Sequence, residues 1–431
     1  MDKEKIKALL IEHKERFISH TNLYPRDILK TLDTYLQQRE IIFLTGIRRC
    51  GKSSLMKLIC TDLISKSGLP KSDILYLNFE DERLIDFTVK DFDLLYETFI
   101  EIENPQGKKY FFLDEIQNIT GWERWVNRLY EFEEIKFIIT GSNAKMLSSE
   151  ISSSLTGRSR HVVIWPFSFN EYLRLKEIVV DKKSLYLVEK KGEIKRLFSD
   201  YLSLGGFPEI LKNNDPTLLE QYFNDIIYRD LIVRYRIRNI KEIKELILFL
   251  ASNPATIHSY KSLANLIGTK NISTIKNYLE ELNNIFLFFS VNLFDYSIRR
   301  QIYNPSKIFC IDTALSNSIS FKFLETIGHL YENLVYIELK RRGLDIFYWK
   351  SKKGREVDFV IKKGLEITEA IQVSRSLLDK RTKEREIRAL LEAKEELKPS
   401  RLTIITEDEE GEETVDDTKI KVLPLWKWLI Y

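Results

Sequence analysis

Cysteine and histidine are both scarce in this chain. Cys50, Cys60 and Cys310 are the only cysteines in 431 residues, and they show no metal-ligand spacing. An odd, unpaired set fits a reducing compartment rather than a disulfide framework. The five histidines are scattered, which speaks against a histidine-rich metal centre. No apolar run approaches the ~20 residues that span a bilayer. The start, Met1-Asp2-Lys3-Glu4-Lys5, is charged and lacks the apolar stretch of a signal peptide, so a cytoplasmic protein without a membrane partner is expected. An excess of one charge is missing too. Lys and Arg number 67 against 64 Asp and Glu, a net charge of +3, too little to argue for nucleic acid from bulk electrostatics. With 44% hydrophobic and 30% charged residues the chain is globular. Its length exceeds one ordinary core, so roughly two to four domains are expected.

What is present begins with Gly46-Ile47-Arg48-Arg49-Cys50-Gly51-Lys52-Ser53, directly after the apolar run Ile41-Ile42-Phe43-Leu44. This is the phosphate-loop pattern G-x-x-x-x-G-K-[ST] in its proper setting of strand, glycine-bounded turn and helix, the helix opening with Ser54-Leu55-Met56. Backbone N–H groups at the helix start can wrap a phosphate, and the glycines let the backbone approach it. Lys52 supplies a point charge to the β- and γ-phosphates, and the Ser53 hydroxyl offers a ligand to Mg²⁺. Cys50 occupies an x position of the loop, where its oxidation could block nucleotide or have no effect at all.

A second strand, Tyr110-Phe111-Phe112-Leu113, ends in Asp114-Glu115. In a parallel α/β sheet the ligand crevice lies at the carboxyl ends of the strands. Asp114 is therefore expected to face Mg²⁺, and Glu115 to act as general base on the attacking water. The strand Ile135–Thr140 runs into Gly141-Ser142-Asn143, where Asn143 could position that water. Leu155-Thr156-Gly157-Arg158-Ser159-Arg160 offers Arg158 and Arg160 as arginine fingers, in cis or from a neighbouring subunit; a basic surface loop is the alternative. Glu80-Asp81-Glu82 ends another strand and should also lie at the carboxyl edge.

Composition and rhythm divide the chain four ways. Residues 1–169 read as a three-layer α/β P-loop NTPase domain, with helices over 1–40 capping the adenine side and Pro25 opening the second of them. Residues 170–238 read as a helical lid; within it lie the lysine-rich stretch Lys182 to Lys195 and a basic, aromatic run at 228–238. Residues 239–328 have winged-helix rhythm: helices over 243–250, 259–268 and 273–282, then a wing from 286–293 and the segment around Ile302-Tyr303. Thr274, Lys276 and Asn277 on the third helix, with Arg299 and Arg300 near the wing tip, are the candidate contacts to duplex DNA. The same module could instead serve a protein partner.

Residues 329–431 open with the helix His329–Leu339 and continue with strands at 345–350, 356–361 and 370–374. This order matches a PD-(D/E)xK nuclease core, with Glu332 and Asp358 in the first two acidic positions. Gln372-Val373-Ser374 departs from the expected E-x-K. A nuclease-like fold kept for binding is thus preferred over active cleavage. The eight acids between Glu407 and Asp417 are expected to form a solvated hairpin loop.

Together Gly46–Ser53, Phe112–Glu115, Gly141-Ser142-Asn143, Gly157-Arg158 with Pro166-Phe167-Ser168-Phe169, and Glu332 with Glu356-Val357-Asp358 carry a resemblance over nearly the whole chain. The sequence resembles a prokaryotic, chiefly archaeal and bacterial, AAA-like P-loop ATPase family with a winged helix and a restriction-endonuclease-like C-terminal domain of unassigned function. The resemblance implies a soluble, Mg²⁺-dependent ATPase whose nucleotide state is coupled to a DNA- or protein-binding module, with oligomers possible. An ATP-regulated DNA nuclease and a non-catalytic, ATP-dependent interaction switch are the alternatives. ATP over GTP follows from the resemblance. The implied nucleotide-binding residues are Gly46, Ile47, Arg48, Arg49, Cys50, Gly51, Lys52, Ser53 and Ser54, with Ser53 and Asp114 on the metal.

Overall fold

The computed structural model describes the chain apart from residues 20–22, 145–154, 156, 182–183 and 321–326. Thr156 of the arginine motif and the first residues of the lysine-rich stretch lie outside the described residues. The chain divides into two compact units, Met1–Trp165 and Pro166–Tyr431.

The first unit is built on five strands: β1 (Ile41–Thr45), β2 (Ile74–Asn78), β3 (Lys109–Asp114), β4 (Ile135–Gly141) and β5 (Ser159–Val163). All neighbours pair in parallel, in the order β2-β3-β4-β1-β5. Parallel strands need crossovers and are covered on both faces, which is why β1 and β4 are buried along their whole lengths. The covering helices are α1 (Lys3–Ile18), α2 (Leu29–Leu36), α3 (Lys52–Ser67), α4 (Phe92–Glu103) and α5 (Trp122–Phe132). An aromatic core of Phe43, Phe92, Phe99, Phe111, Trp125 and Phe137 fixes helices to sheet. Phe92 and Trp125 stack at 4.4 Å, a contact that ties α4 to α5. This is a mixed α/β unit whose parallel sheet fits a P-loop NTPase.

One expectation changes here. Helix α2 opens at Leu29, not Pro25, and residues 24–28 form an irregular approach instead. Helix α1 packs against β2, α3 and α4.

The second unit starts with helices at Phe169–Leu175, Val188–Leu204, Pro208–Asn213 and Leu218–Asp225 and a π-helical stretch, Ile226–Val233. Helix Ile240–Ser252 leads to an antiparallel sheet of β6 (Thr256–His258), β7 (Phe288–Val291) and β8 (Ser306–Cys310), ordered β6-β8-β7. Helices Tyr260–Leu266 and Ile272–Asn284 lie between β6 and β7. The segment expected to complete the wing as a strand around Ile302-Tyr303 is a short helix, Ile298–Tyr303; the last strand follows it as β8. Asp295 explains the change, since its carboxylate accepts the Ser297 N–H at 2.7 Å and its carbonyl takes the Gln301 amide at 2.6 Å. That local turn starts a helix before a strand can form.

The C-terminal sheet contains β9 (Asp345–Lys350), β10 (Glu356–Lys363), β11 (Glu366–Val373), β12 (Arg401–Thr406), β13 (Gly411–Val415) and β14 (Thr418–Pro424). Its order is β13-β14-β12-β11-β10-β9, antiparallel at both edges and parallel at β11-β12-β14. The acidic segment expected as a plain loop supplies the edge strand β13, which turns at Asp416 and Asp417 in the left-handed region. Charge along an edge strand blocks pairing with other chains. Among the described residues, no helix is long and apolar enough to cross a membrane.

Candidate functional site

The phosphate loop leaves β1 at its carboxyl end and enters α3. Three of its residues have positive φ: Gly46 at 151°, Arg49 at 70° and Gly51 at 98°. A Cβ at Gly46 would sit 2.3 Å from the Ile164 carbonyl oxygen, so only glycine fits beside the end of β5. Helix α3 has no side-chain cap at Gly51 and no acidic residue in its first turn. Its positive end is thus left without a compensating charge of its own. Arg26 holds the loop from behind: it is buried, donating to the Cys50 carbonyl at 3.2 Å and the Trp165 carbonyl at 2.7 Å. Cys50 is fully buried, and burial pushes its thiol pKa up. The oxidation reading of this cysteine therefore loses its basis.

Lys52, only 5% exposed, donates to the Gly46 and Ile47 carbonyls at 3.1 and 3.3 Å. Its Nζ also lies 3.6 Å from Glu115 Oε1. Asp114 ends β3 and is 2% exposed. Tyr76 donates to its Oδ2 at 3.2 Å, and Thr140 of β4 donates to its Oδ1. Burial, with the Glu115 charge added, raises the Asp114 pKa, while the Thr140 and Ser53 hydroxyls and Lys52 oppose the shift. A buried carboxyl held this way beside a hydroxyl suits a divalent cation, which would offset the desolvation. Ser53 and Asp114 thus fit a Mg²⁺ site.

Glu115 sits in the left-handed region at φ 53°, ψ 39°. Its N–H is taken by Thr140 Oγ1 at 2.9 Å, and Gln117 donates to its Oε2. Thr140 thereby fixes both acids at once. Sequence reasoning missed it because its partners arrive from another strand; its one signal is a threonine closing the apolar run Ile138-Ile139. Asn143 and Ser142 are buried just past β4, at the same carboxyl edge. Glu80 reaches Arg48 of the loop at 2.8 Å, so the acids after β2 do lie at that edge.

Arg158 and Arg160 lie elsewhere. The Arg158 carbonyl accepts the N–H of Ile41 at 2.8 Å, and Arg160 pairs with Ile42, four residues before Gly46. About 13 Å of strand therefore separates Arg160 from the loop. At this amino edge Arg158 pairs with Glu131 at 2.7 Å and Arg160 with Glu40 at 3.0 Å. The cis finger assignment is corrected on that geometry: the motif is the start of β5, not a loop reaching the phosphates.

In the second unit Lys276 and Asn277 are exposed and Thr274 is half-buried on helix Ile272–Asn284. Arg299 and Arg300 are exposed on the short helix before β8; Arg299 lies over the Tyr303 ring, and Arg300 is 3.5 Å from Asp295. Glu332, Asp358 and Gln372 come together beneath a cleft of about 730 Å³. Gln372 accepts the Asp358 N–H at 3.2 Å and donates to Glu386. Lys307 of β8 also enters this group, with Glu332, Glu356 and Asp358 around its ammonium. Neither Lys307 nor Glu386 is among the expected residues. Glu386 shares the buried face of helix Lys380–Leu397 with Leu390, Ala393 and Leu397, and an acid on an apolar stripe is a readable signal. Among the described residues, no three His, Cys, Asp or Glu side chains are arranged to hold a metal ion.

Residues 38–173 match an AAA domain family, and 195–325 and 327–428 match two domains of unknown function, DUF8612 and DUF4143. An uncharacterized protein of Methanocaldococcus jannaschii is 38% identical over 419 residues, covering 93% of this chain and 90% of its own length. An uncharacterized protein of Haemophilus influenzae is 33% identical over 350 residues, covering 78% and 84%. Among solved structures, the Orc1 protein of Aeropyrum pernix in complex with DNA aligns with 74% of this chain and 97% of its own at 15% identity. Its TM-score of 0.31 is too low to carry an argument.

Proposed function

The chain belongs to the AAA-domain family of these archaeal and bacterial proteins, and from that premise we propose that it binds and hydrolyses ATP with Mg²⁺. The carrying observation is the convergence of Lys52, Asp114 and Glu115 at one sheet edge, with the lysine 3.6 Å from the glutamate. Lys52 exchanges its loop carbonyls for phosphate oxygens, a stronger, charge-assisted contact. The N–H groups of Gly46 to Ser54 cradle the phosphates. Ser53 and Asp114 would hold Mg²⁺, which would supply charge neutralisation to the phosphate groups. Glu115 takes the proton of the attacking water, held in place by its bond to Thr140, and Asn143 orients that water. Any role for Arg158 or Arg160 is in trans, from a neighbouring subunit.

The three-stranded sheet and its helices read as a winged helix, 239–328, following a helical segment, 170–238, that responds to nucleotide. Thr274, Lys276 and Asn277 with Arg299 and Arg300 are the surface offered to duplex DNA or a protein. The C-terminal region, 329–431, reads as a nuclease-like fold kept for binding. Gln372 supports this, since its amide is engaged with Glu386 and offers no negative charge.

The test is Mg²⁺-dependent ATP hydrolysis with and without duplex DNA. Lys52→Ala should lose nucleotide binding, and Glu115→Gln should keep binding but stop turnover. Full turnover by Glu115→Gln would remove the base assignment; turnover indifferent to DNA would favour a protein partner.

A further inference from the structure

One buried cation stands apart from the nucleotide machinery. Lys307 occupies the second position of β8, a strand otherwise apolar at Ile308, Phe309 and Cys310, and its side chain is 2% exposed. Its Nζ lies 2.6 Å from Glu332 Oε1, 2.7 Å from Glu356 Oε1 and 2.8 Å from Asp358 Oδ1. An ammonium has three N–H donors; two go to Glu332 and Asp358 as hydrogen bonds, and Glu356 joins the group as an ion pair. The acids come from two elements: helix Ile327–Arg341 gives Glu332, and β10 gives Glu356 and Asp358.

Two of the remaining carboxylate oxygens also face partners. Asp358 Oδ2 accepts the Val373 N–H at 2.9 Å, and Glu332 Oε2 lies 3.9 Å from His329 Nδ1. Glu386, the fourth acid nearby, is drawn to Arg385 and Gln372. The convergence point of the carboxylates is therefore the lysine nitrogen, where a two-metal or one-metal nuclease would hold its ion. Burial opposes the lysine charge, but Asp358, Glu332 and Glu356 outweigh it and hold its pKa well above the ordinary value.

We propose that Lys307 is a built-in cation that takes the place of a divalent metal among Glu332, Glu356 and Asp358. The C-terminal cleft then neither binds a metal at these acids nor cleaves phosphodiesters. The same three contacts tie β8 to the C-terminal module as a fixed ionic joint. A second tie runs beside it, with Phe294 donating to the Tyr348 carbonyl at 2.7 Å and the Tyr348 hydroxyl donating to the Pro305 carbonyl at 2.6 Å. This inference uses the nuclease-like reading of residues 329–431 and is independent of the ATPase reading.

The test is Mn²⁺ binding to the full chain, followed by electron paramagnetic resonance. Wild type and Asp358→Asn should bind the same number of ions. Lys307→Met should gain one ion per chain, and Lys307→Met with Asp358→Asn should lose that gain. Should Lys307→Met fail to fold, Lys307→Met with Glu332→Gln removes one negative charge along with the positive one and is read the same way. A wild-type Mn²⁺ ion that disappears in Asp358→Asn overturns the proposal on its own, whether or not either variant folds. A folded lysine variant that gains no ion also overturns it, leaving the nuclease-like fold intact but the cluster merely structural. DNA cleavage by wild type that requires Asp358 would instead restore the active nuclease.

Discussion

Replacing Thr140 with valine removes one oxygen and keeps the shape of a fully buried side chain. Two contacts go with it. The Glu115 N–H, now bonded at 2.9 Å, loses its acceptor, a loss of about 1–3 kcal/mol for an orphaned buried donor. Asp114 loses the Thr140 hydroxyl but keeps Tyr76 at 3.2 Å, and a bond to a charged group contributes about 1.5–3 kcal/mol. A net destabilisation of about 3 kcal/mol follows, or roughly 6–12 °C in the midpoint of a unit of this size. Turnover should fall further than stability suggests. Glu115 is held in the left-handed region against local preference, and a displacement of about 1 Å in a reacting group lowers rate by about 10²-fold. Calorimetry would read the first-unit transition, recognised by its shift with nucleotide; steady-state ATP hydrolysis and equilibrium nucleotide binding complete the assay. Thr140→Val should bind nucleotide and turn over poorly, and Thr140→Ser should recover most of the rate. A valine variant with wild-type turnover and midpoint would refute the account of Thr140 as the brace of both acids.

Lys136 donates to the Tyr35, Gln38 and Glu40 carbonyls at 2.7, 2.8 and 2.5 Å, so Lys136→Met should destabilise the first unit by about 2–4 kcal/mol, read by chemical denaturation. Arg158→Ala and Arg160→Ala should leave turnover unchanged in dilute protein, and a loss that appears only on raising protein concentration would reveal a trans role. All three thiols are buried, and burial pushes Cys60 and Cys310 to about 12. Native protein at pH 8 should therefore resist iodoacetamide, with alkylation appearing in the mass spectrum only after unfolding. Because the folded pKa lies above the usual thiol value of about 8.5, the stability these thiols lend is complete below that value. It is lost as pH rises through about 12.

Legibility followed the range of the interactions. Gly46 to Ser53 and Asp114-Glu115 were readable because a phosphate loop and a strand-end acid pair are local patterns. Thr140 and Arg26 were not, since each acts on residues more than twenty positions away and nothing in its own neighbourhood marks it. Arg158 and Arg160 show the reverse failure. Two arginines beside a glycine suggest a reaching loop, but strand direction decides which edge they occupy, and β5 begins at Ser159. In the second unit the strand at 306–310 escaped notice because a serine and a lysine open it and leave only a short apolar run, and that lysine meets three carboxylates. The turn at Asp295 likewise hid a helix inside an expected strand.

The grip of Arg26 on the Cys50 and Trp165 carbonyls has a practical edge. The AAA family pattern begins at residue 38, twelve residues after that arginine. A recombinant fragment cut at the pattern's start would keep every residue proposed to touch nucleotide, yet it would lack the clasp that joins the loop to the end of the sheet. Such a fragment should bind nucleotide weakly for want of a side chain that never meets it. The smallest intact nucleotide-loop unit is thus larger than its motif, and it reaches back into a stretch with no recognisable signature.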